Sequence, residues 1–223
     1  MLTTKGLGYW YANSEDYLFK DVNLHFDAGV MTAIVGQSGA GKTTMLSLLA
    51  GLDKPRAGTI AFRDEDIAKL GLTNYRRHHV STIFQAYNLF TYMSARQNLL
   101  TAMAITQSAH RGDADYADQM LGKLGLTAAQ MRQTVARLSG GQQQRVAIAR
   151  SMVCDAELVV ADEPTGNLDE ANTQAVVDLF RQLAQDLGKA VIIVTHEEAV
   201  AAQCDAVLRL ASRTVSWERQ PSR

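Results

Sequence analysis

The chain has 223 residues, 47% of them hydrophobic and 20% charged, proportions that suit a folded soluble protein with one large core or two closely packed lobes. A formal net charge of -1 removes any global electrostatic case for a nucleic-acid partner. The two cysteines, Cys154 and Cys204, form no disulfide framework and read as reduced core residues, and no window approaches the ~20 apolar residues of a membrane span. The first residues carry neither an apolar signal segment nor a myristoylation glycine, so a cytoplasmic chain is expected. Any membrane spans would come from another chain.

In chain order, the start of the chain through Phe26 is read as antiparallel strand, and Met31 to Val35 as a buried strand with a helix, Thr43 to Ala50, behind it. From about Asn88 to Ser151 the pattern is helical. Leu158 to Ala161 is a second buried strand, followed by apolar residues at helical spacing (Val176, Val177, Phe180, Leu183, Ala184, Leu187). Ala190 to Thr195 and Ala206 to Leu210 are further strands, and Thr214 to Trp217 an antiparallel one. Strands alternating with helices predict an α/β fold with a mostly parallel sheet covered on both faces. A helical lobe is inserted into it. The expected division is a single domain over 1–223, with the core at about 1–87 and 155–223 and the helical subdomain at about 88–154.

Gly36-Gln37-Ser38-Gly39-Ala40-Gly41-Lys42-Thr43 follows the first buried strand and opens a helix, the strand-loop-helix context that a G-x-x-x-x-G-K-[ST] phosphate loop requires. The glycines let backbone N–H groups turn inward around phosphates, and the helix N-terminus adds its positive end. Lys42 is expected on the β- and γ-phosphates, and the Thr43 hydroxyl on Mg²⁺, with Thr44 beside it as a further contact. A nucleotide-binding P-loop protein follows from this motif alone. Leu158-Val159-Val160-Ala161-Asp162-Glu163 is an apolar strand ending in two carboxylates. Asp162 is the candidate metal ligand, and Glu163 the candidate base that orients an attacking water, a pairing that favours hydrolysis.

Leu138-Ser139-Gly140-Gly141-Gln142-Gln143-Gln144-Arg145 precedes a helix read at Val146 to Met152. A serine hydroxyl and two glycines at a helix N-terminus form a second anion site. One phosphate loop already satisfies one triphosphate, so a second copy of the chain is the economical partner for this site.

On these residues the chain resembles the ABC ATPase family, over nearly its whole length from about Tyr11, with LSGGQQQR matching the family signature. The resemblance implies a P-loop NTPase (RecA-like) core with an inserted α-helical subdomain and an N-terminal antiparallel β-subdomain. Gln85 matches the glutamine that senses Mg²⁺ and the γ-phosphate, Asn167-Leu168-Asp169 the loop that crosses the dimer interface, and His196 the switch histidine. Tyr11 stands where an aromatic stacks on adenine, with Tyr9 as runner-up. The implied nucleotide contacts are Tyr11, Gly36, Ser38, Gly39, Ala40, Gly41, Lys42, Thr43 and Thr44, completed by Ser139, Gly140, Gly141, Gln142 and Asp169. Catalysis falls to Glu163, His196, Lys42 and Gln85, and the metal to Thr43, Gln85 and Asp162. The implied cofactors are ATP and Mg²⁺. The implied assembly is a homodimer in the ATP state, docked on separately encoded membrane permease subunits at the inner face of the cell membrane. It neither inserts into the bilayer nor binds nucleic acid.

Gly51-Leu52-Asp53-Lys54-Pro55, Tyr75-Arg76-Arg77, Phe84 to Leu89 and Glu163 to Asp169 resemble the subgroup serving macrolide export, lipoprotein release, antimicrobial-peptide resistance, haem efflux and cell-division signalling. That points to export or extraction of a peptide, drug or lipid-like cargo; signalling through a membrane partner is the alternative. Val80-Ser81-Thr82 and Gly29-Val30 depart from the subgroup pattern. Gln85 to about Leu99 is the implied docking surface, although Tyr87, Leu89, Phe90 and Tyr92 also suit lobe core. Arg76-Arg77-His78-His79 reads as a solvated face or lobe contact. With little chain after the core, control is expected to come from the partner.

Overall fold

The computed structural model describes residues 1–12, 15–166 and 168–220. Three runs of mostly apolar, buried residues form the centre of a sheet buried on both faces, the burial pattern of parallel strands. Successive side chains alternate between its faces. On one face lie Ala33, Val35, Val159, Ala161, Val191 and Ile193, and on the other Ile34, Leu158, Val160, Ile192 and Val194.

The elements are β1 (Leu2–Trp10), β2 (Tyr17–Phe26), β3 (Met31–Gly36), α1 (Lys42–Leu49), β4 (Ala57–Phe62), β5 (Glu65–Asp66), α2 (Ile67–Leu70), α3 (Leu72–His78) and β6 (Val80–Ile83). Four helices follow, α4 (Ala95–Thr106), α5 (Ala114–Lys123), α6 (Ala128–Arg132) and α7 (Gly140–Met152), with a 3-10 turn at Val135–Arg137 before the last. The chain then returns through β7 (Leu158–Asp162), α8 (Glu170–Gln185), β8 (Ala190–Val194), α9 (Glu198–Ala202), β9 (Ala206–Ala211) and β10 (Thr214–Arg219). The larger sheet has the order β10-β9-β3-β8-β7-β6, parallel except for β10. A second, antiparallel sheet, β2-β1-β4-β5, covers one face together with α1. The helices α4 to α8 cover the other.

β4, β5 and β6 went unread in the sequence. Ala57–Phe62 buries only Ile60 and Phe62 among its side chains, and Val80–Ile83 has Ser81 and Thr82 at its centre, so neither shows an apolar run. The helix expected from Val146 starts six residues earlier. Ser139 caps it: its hydroxyl accepts from Gln142 N–H, and the Gln142 side chain accepts from Ser139 N–H, a capping box. Two glycines in the first turn conceal that start from propensity.

The basic cluster makes lobe contacts. Arg76 donates to the Gly51 carbonyl, and Arg77 reaches the Ile105 carbonyl near the end of α4. Tyr87 and Leu89 pack on the core, whereas Phe90 is 40% and Tyr92 72% exposed. Both cysteines are buried, free thiols, and burial raises their pKa values, that of Cys204 to about 12. No described helix is long and apolar enough to cross a membrane.

Candidate functional site

Gly36 ends β3 with φ +156°, and a Cβ there would meet the Leu210 carbonyl oxygen at 2.3 Å, so only glycine leaves the strand at this angle. The loop closes with Ala40 N–H donating to the Gln37 carbonyl at 3.2 Å. Gly41, in left-handed backbone, caps α1 without a side chain, which leaves the first-turn N–H groups facing outward for an anion. Lys42 is 8% exposed, and its Nζ donates to the Gly36 and Gln37 carbonyls at 2.9 and 3.1 Å. Among the described residues no carboxylate lies within ion-pair distance of it. A buried ammonium held only by carbonyls, beside an open helix end, is prepared for phosphate. Ser38, Gly39 and Ala40 form the rim of this loop.

The carboxylates stand across the sheet's edge. Asp162 closes β7 opposite Val194 of β8, and the Thr43 hydroxyl donates to its Oδ1 at 3.4 Å. Burial pushes the Asp162 carboxyl above its ordinary pKa, with the Glu163 charge adding to the shift and the Thr43 hydrogen bond opposing it. A divalent cation would relieve that penalty. A hydroxyl and one carboxylate are hard oxygen donors of the kind Mg²⁺ takes alongside substrate phosphates.

Glu163 has φ +46°, a left-handed strain of about 1–2 kcal/mol for an L-residue, maintained by its N–H donating to the Val194 carbonyl at 2.9 Å. The kink resolves the problem of two adjacent acids on one strand, because the side chain no longer follows the alternation. It brings Glu163 Oε1 to 3.2 Å from His196 Nδ1, just beyond β8. Gln85 lies two residues past β6, whose last residue pairs with Ala161. It is exposed in a turn at the same edge, and no hydrogen bond joins it to Asp162 or Glu163 among the described residues.

The two tyrosines separate. Tyr11 is 67% exposed, with its hydroxyl 3.0 Å from Thr44 Oγ1. Tyr9 is buried, and its hydroxyl donates to Asp53 Oδ2 at 2.7 Å, which raises the Tyr9 pKa and lowers that of Asp53. Tyr9 is therefore committed to the core, and Tyr11 has the free ring face. Both tyrosines line one cleft with Thr43, Thr44, Ser47 and Asp53.

Ser139, Gly140, Gly141 and Gln142 line a separate cleft, with Arg145, Leu168, Asp169 and Asn172. Asp169 caps α8 by accepting from Asn172 N–H at 2.9 Å, and Arg145 donates to the Asn172 side chain at 2.9 Å. In its own chain Asp169 thus belongs with the Ser139 helix. Among the described residues no hydrogen bond joins 36–44 to 138–145. Asn167 lies outside the described residues. Sequence reasoning missed the Glu163–His196 contact and the Arg145–Asn172 pair. The first depends on β7 and β8 being sheet neighbours, and no spacing encodes that.

The family model described as ABC transporter matches residues 19–166. The chain is 50% identical over 211 residues to the ABC transporter ATP-binding protein YclH of Bacillus subtilis, covering 95% of this chain and 93% of that protein. It is 38% identical over 205 residues to the macrolide export ATP-binding/permease protein MacB of Salmonella choleraesuis, covering 90% of this chain but 31% of MacB. Among solved structures, it resembles the bacterial ABC transporter cassette MJ0796 with TM-score 0.86 and 31% identity, over 99% of this chain and 100% of that one. MJ0796 has been solved as a dimer, and also as a dimer in a post-hydrolysis state bound to ADP and Pi.

Proposed function

The chain belongs to the ABC transporter family, as an ATP-binding and ATP-hydrolysing subunit, and from that premise we propose that it closes as a Mg-ATP-bound homodimer to drive a separately encoded membrane permease. The observation that carries this reading is the separation of two anion-facing helix ends on one chain. The α1 end has the lysine and the carboxylates; the α7 end has two open glycines and a hydroxyl bonded only within its own capping box.

In this reading Lys42 and the N–H groups of α1 hold the triphosphate, Thr44 contacts it nearby, and the Tyr11 ring stacks on adenine. Ser139 and Gly141 of the second copy close over the γ-phosphate, with Asp169 of that copy alongside. Only ATP bridges both copies, so γ-phosphate loss releases the closed state. Thr43 and Asp162, with Gln85 as a further ligand, would hold Mg²⁺, which would supply neutralisation of phosphate charge there. Glu163 orients and deprotonates the attacking water, and His196, already beside it, meets the γ-phosphate. Water oxygen bonds to the γ-phosphorus, the bond to the bridging oxygen breaks, and ADP and phosphate leave.

The permease contact is assigned to the segment Gln85 to Leu99, where Phe90 and Tyr92 leave aromatic surface unburied. The similarity to MacB, a macrolide export protein, supports export of a drug-like cargo; extraction of a peptide or lipid-like cargo and a peripheral place at the cytoplasmic face of the membrane belong to the same proposal. Tagged Glu163→Gln, purified from native membranes with Mg-ATP, is expected to bring down a permease with few spans and a large external domain. Recovery of a soluble homodimer alone would end the transport reading. A co-purifying sensor kinase or hydrolase regulator would replace it with signalling.

A further inference from the structure

We propose that Arg150 is a positioning residue for Gln85, clamping the strained turn that carries it to the helix that begins at Ser139. The inference rests on Gln85 acting as a further Mg²⁺ ligand as proposed above.

The turn after β6 is unusually tight. Tyr87 N–H donates to the Phe84 carbonyl at 2.8 Å, and Asn88 N–H to the Ala86 carbonyl at 2.7 Å. Tyr87 and Asn88 both have left-handed backbone, φ +60° and +47°, although neither is glycine. Two consecutive L-residues in this region persist only where surrounding contacts hold them. The holding contact is a fork. Arg150 Nη2 donates to the Tyr87 carbonyl at 3.0 Å, and Arg150 Nη1 to the Asn88 carbonyl at 2.6 Å. Arginine suits this because its planar guanidinium fixes two acceptors at once.

The fork is the main use of this charge. Among the described residues no carboxylate pairs with Arg150, and burial pushes its pKa down. A part-buried cation without an acid partner costs stability, which argues that the two carbonyls are what it is there for. The clamp also has a direction. Arg150 lies near the end of α7, and the Tyr87 hydroxyl reaches to the other end, 3.8 Å from where a Cβ on Gly140 would lie. The turn carrying Gln85 is therefore bonded near the C-terminal end of the helix that Ser139 caps, and lies against that helix's first turn. When that helix moves to close on a second copy, Gln85 must move with it. Arg150 touches no phosphate; it sets where Gln85 stands.

The test uses the purified full chain, measuring ATP turnover, the dissociation constant for Mg-ATP and the unfolding temperature. Arg150→Met should lower kcat at least tenfold while nucleotide affinity stays within twofold, since Lys42 and Thr43 are untouched. Asn88→Gly allows left-handed backbone without strain. It should raise kcat in the Arg150→Met background at least threefold more than it does in the wild-type background. A residue serving only stability would show no such rescue. If Arg150→Met does not fold, Arg150→Lys, which reaches one carbonyl only, is put through the same rescue. An Arg150→Met kcat within twofold of wild type, or no rescue in either background, overturns the inference. Gln85→Ala separates the two levels. If it leaves turnover intact, the reading of Gln85 fails first. If it abolishes turnover while Arg150→Met does not, the clamp alone fails.

Discussion

At the phosphate loop the functional side chains turn toward one another, whereas at the Ser139 helix they turn toward their own helix. Lys42 bonds the loop carbonyls, Thr43 bonds Asp162, and Glu163 meets His196, so three β-strand ends share one electrostatic neighbourhood. Ser139 and Gln142 only cap each other, and Asp169 caps α8 beside them. The first region holds strain, a desolvated carboxyl and an unpaired ammonium. The second has satisfied caps and open glycines. One region is therefore prepared for chemistry and the other for contact. In the proposed reading a second copy joins them into one complete site.

The largest effect should come from the chemical region. Glu163→Gln keeps the side chain's size and its hydrogen-bonding reach but removes the base. Turnover should fall at least a hundredfold while ATP binding persists, and the closed dimer should accumulate on size exclusion with Mg-ATP. Turnover at the wild-type rate would mean that another group takes the proton. It would break the contrast between the two regions at its stronger end.

A smaller, different loss is expected at the contact region. Ser139→Ala should bind ATP as a single chain with unchanged affinity, fail to form the ATP-dependent dimer, and turn over about tenfold more slowly. Removing the cap should also cost about 1 kcal/mol, or about 2–4 °C in unfolding temperature. If affinity in the monomer falls instead, Ser139 acts within its own chain and the division of labour is wrong.

The two regions also differ in how far they could be read beforehand. Gly36 to Thr43, Asp162-Glu163 and Leu138 to Arg145 are contiguous strings, and each was legible because its local backbone geometry follows from residues adjacent in the chain. β3, β7 and β8 were legible because burial on both faces writes a nearly unbroken apolar run, with Thr32 the one polar side chain inside it before the closing Asp162 of β7. β6 was not, since Ser81 and Thr82 interrupt it, yet its end carries Gln85. The association of Asp169 with Ser139, the pairing of Glu163 with His196 and the reach of Arg150 to Tyr87 all join residues more than 25 positions apart. Such contacts depend on strand order and helix packing, and side-chain spacing along the chain does not record them.

The smallest effect sharpens the claim that the chemical region is held under electrostatic strain. Burial raises the Asp162 pKa, so folding disfavours its charged form. The sign follows from linkage: stability is unaffected below the unfolded-state pKa of about 3.9, and is lost as pH rises through the higher folded value. Asp162→Asn keeps an acceptor for the Thr43 hydroxyl and removes the charge. Without nucleotide it should unfold at a higher temperature than wild type at pH 7, and the difference should vanish near pH 3. With Mg-ATP the order should reverse, because only the carboxylate gains from the metal. A variant equal to wild type at both pH values would show that Asp162 is not strained in the free chain. Its metal role would then rest on position alone.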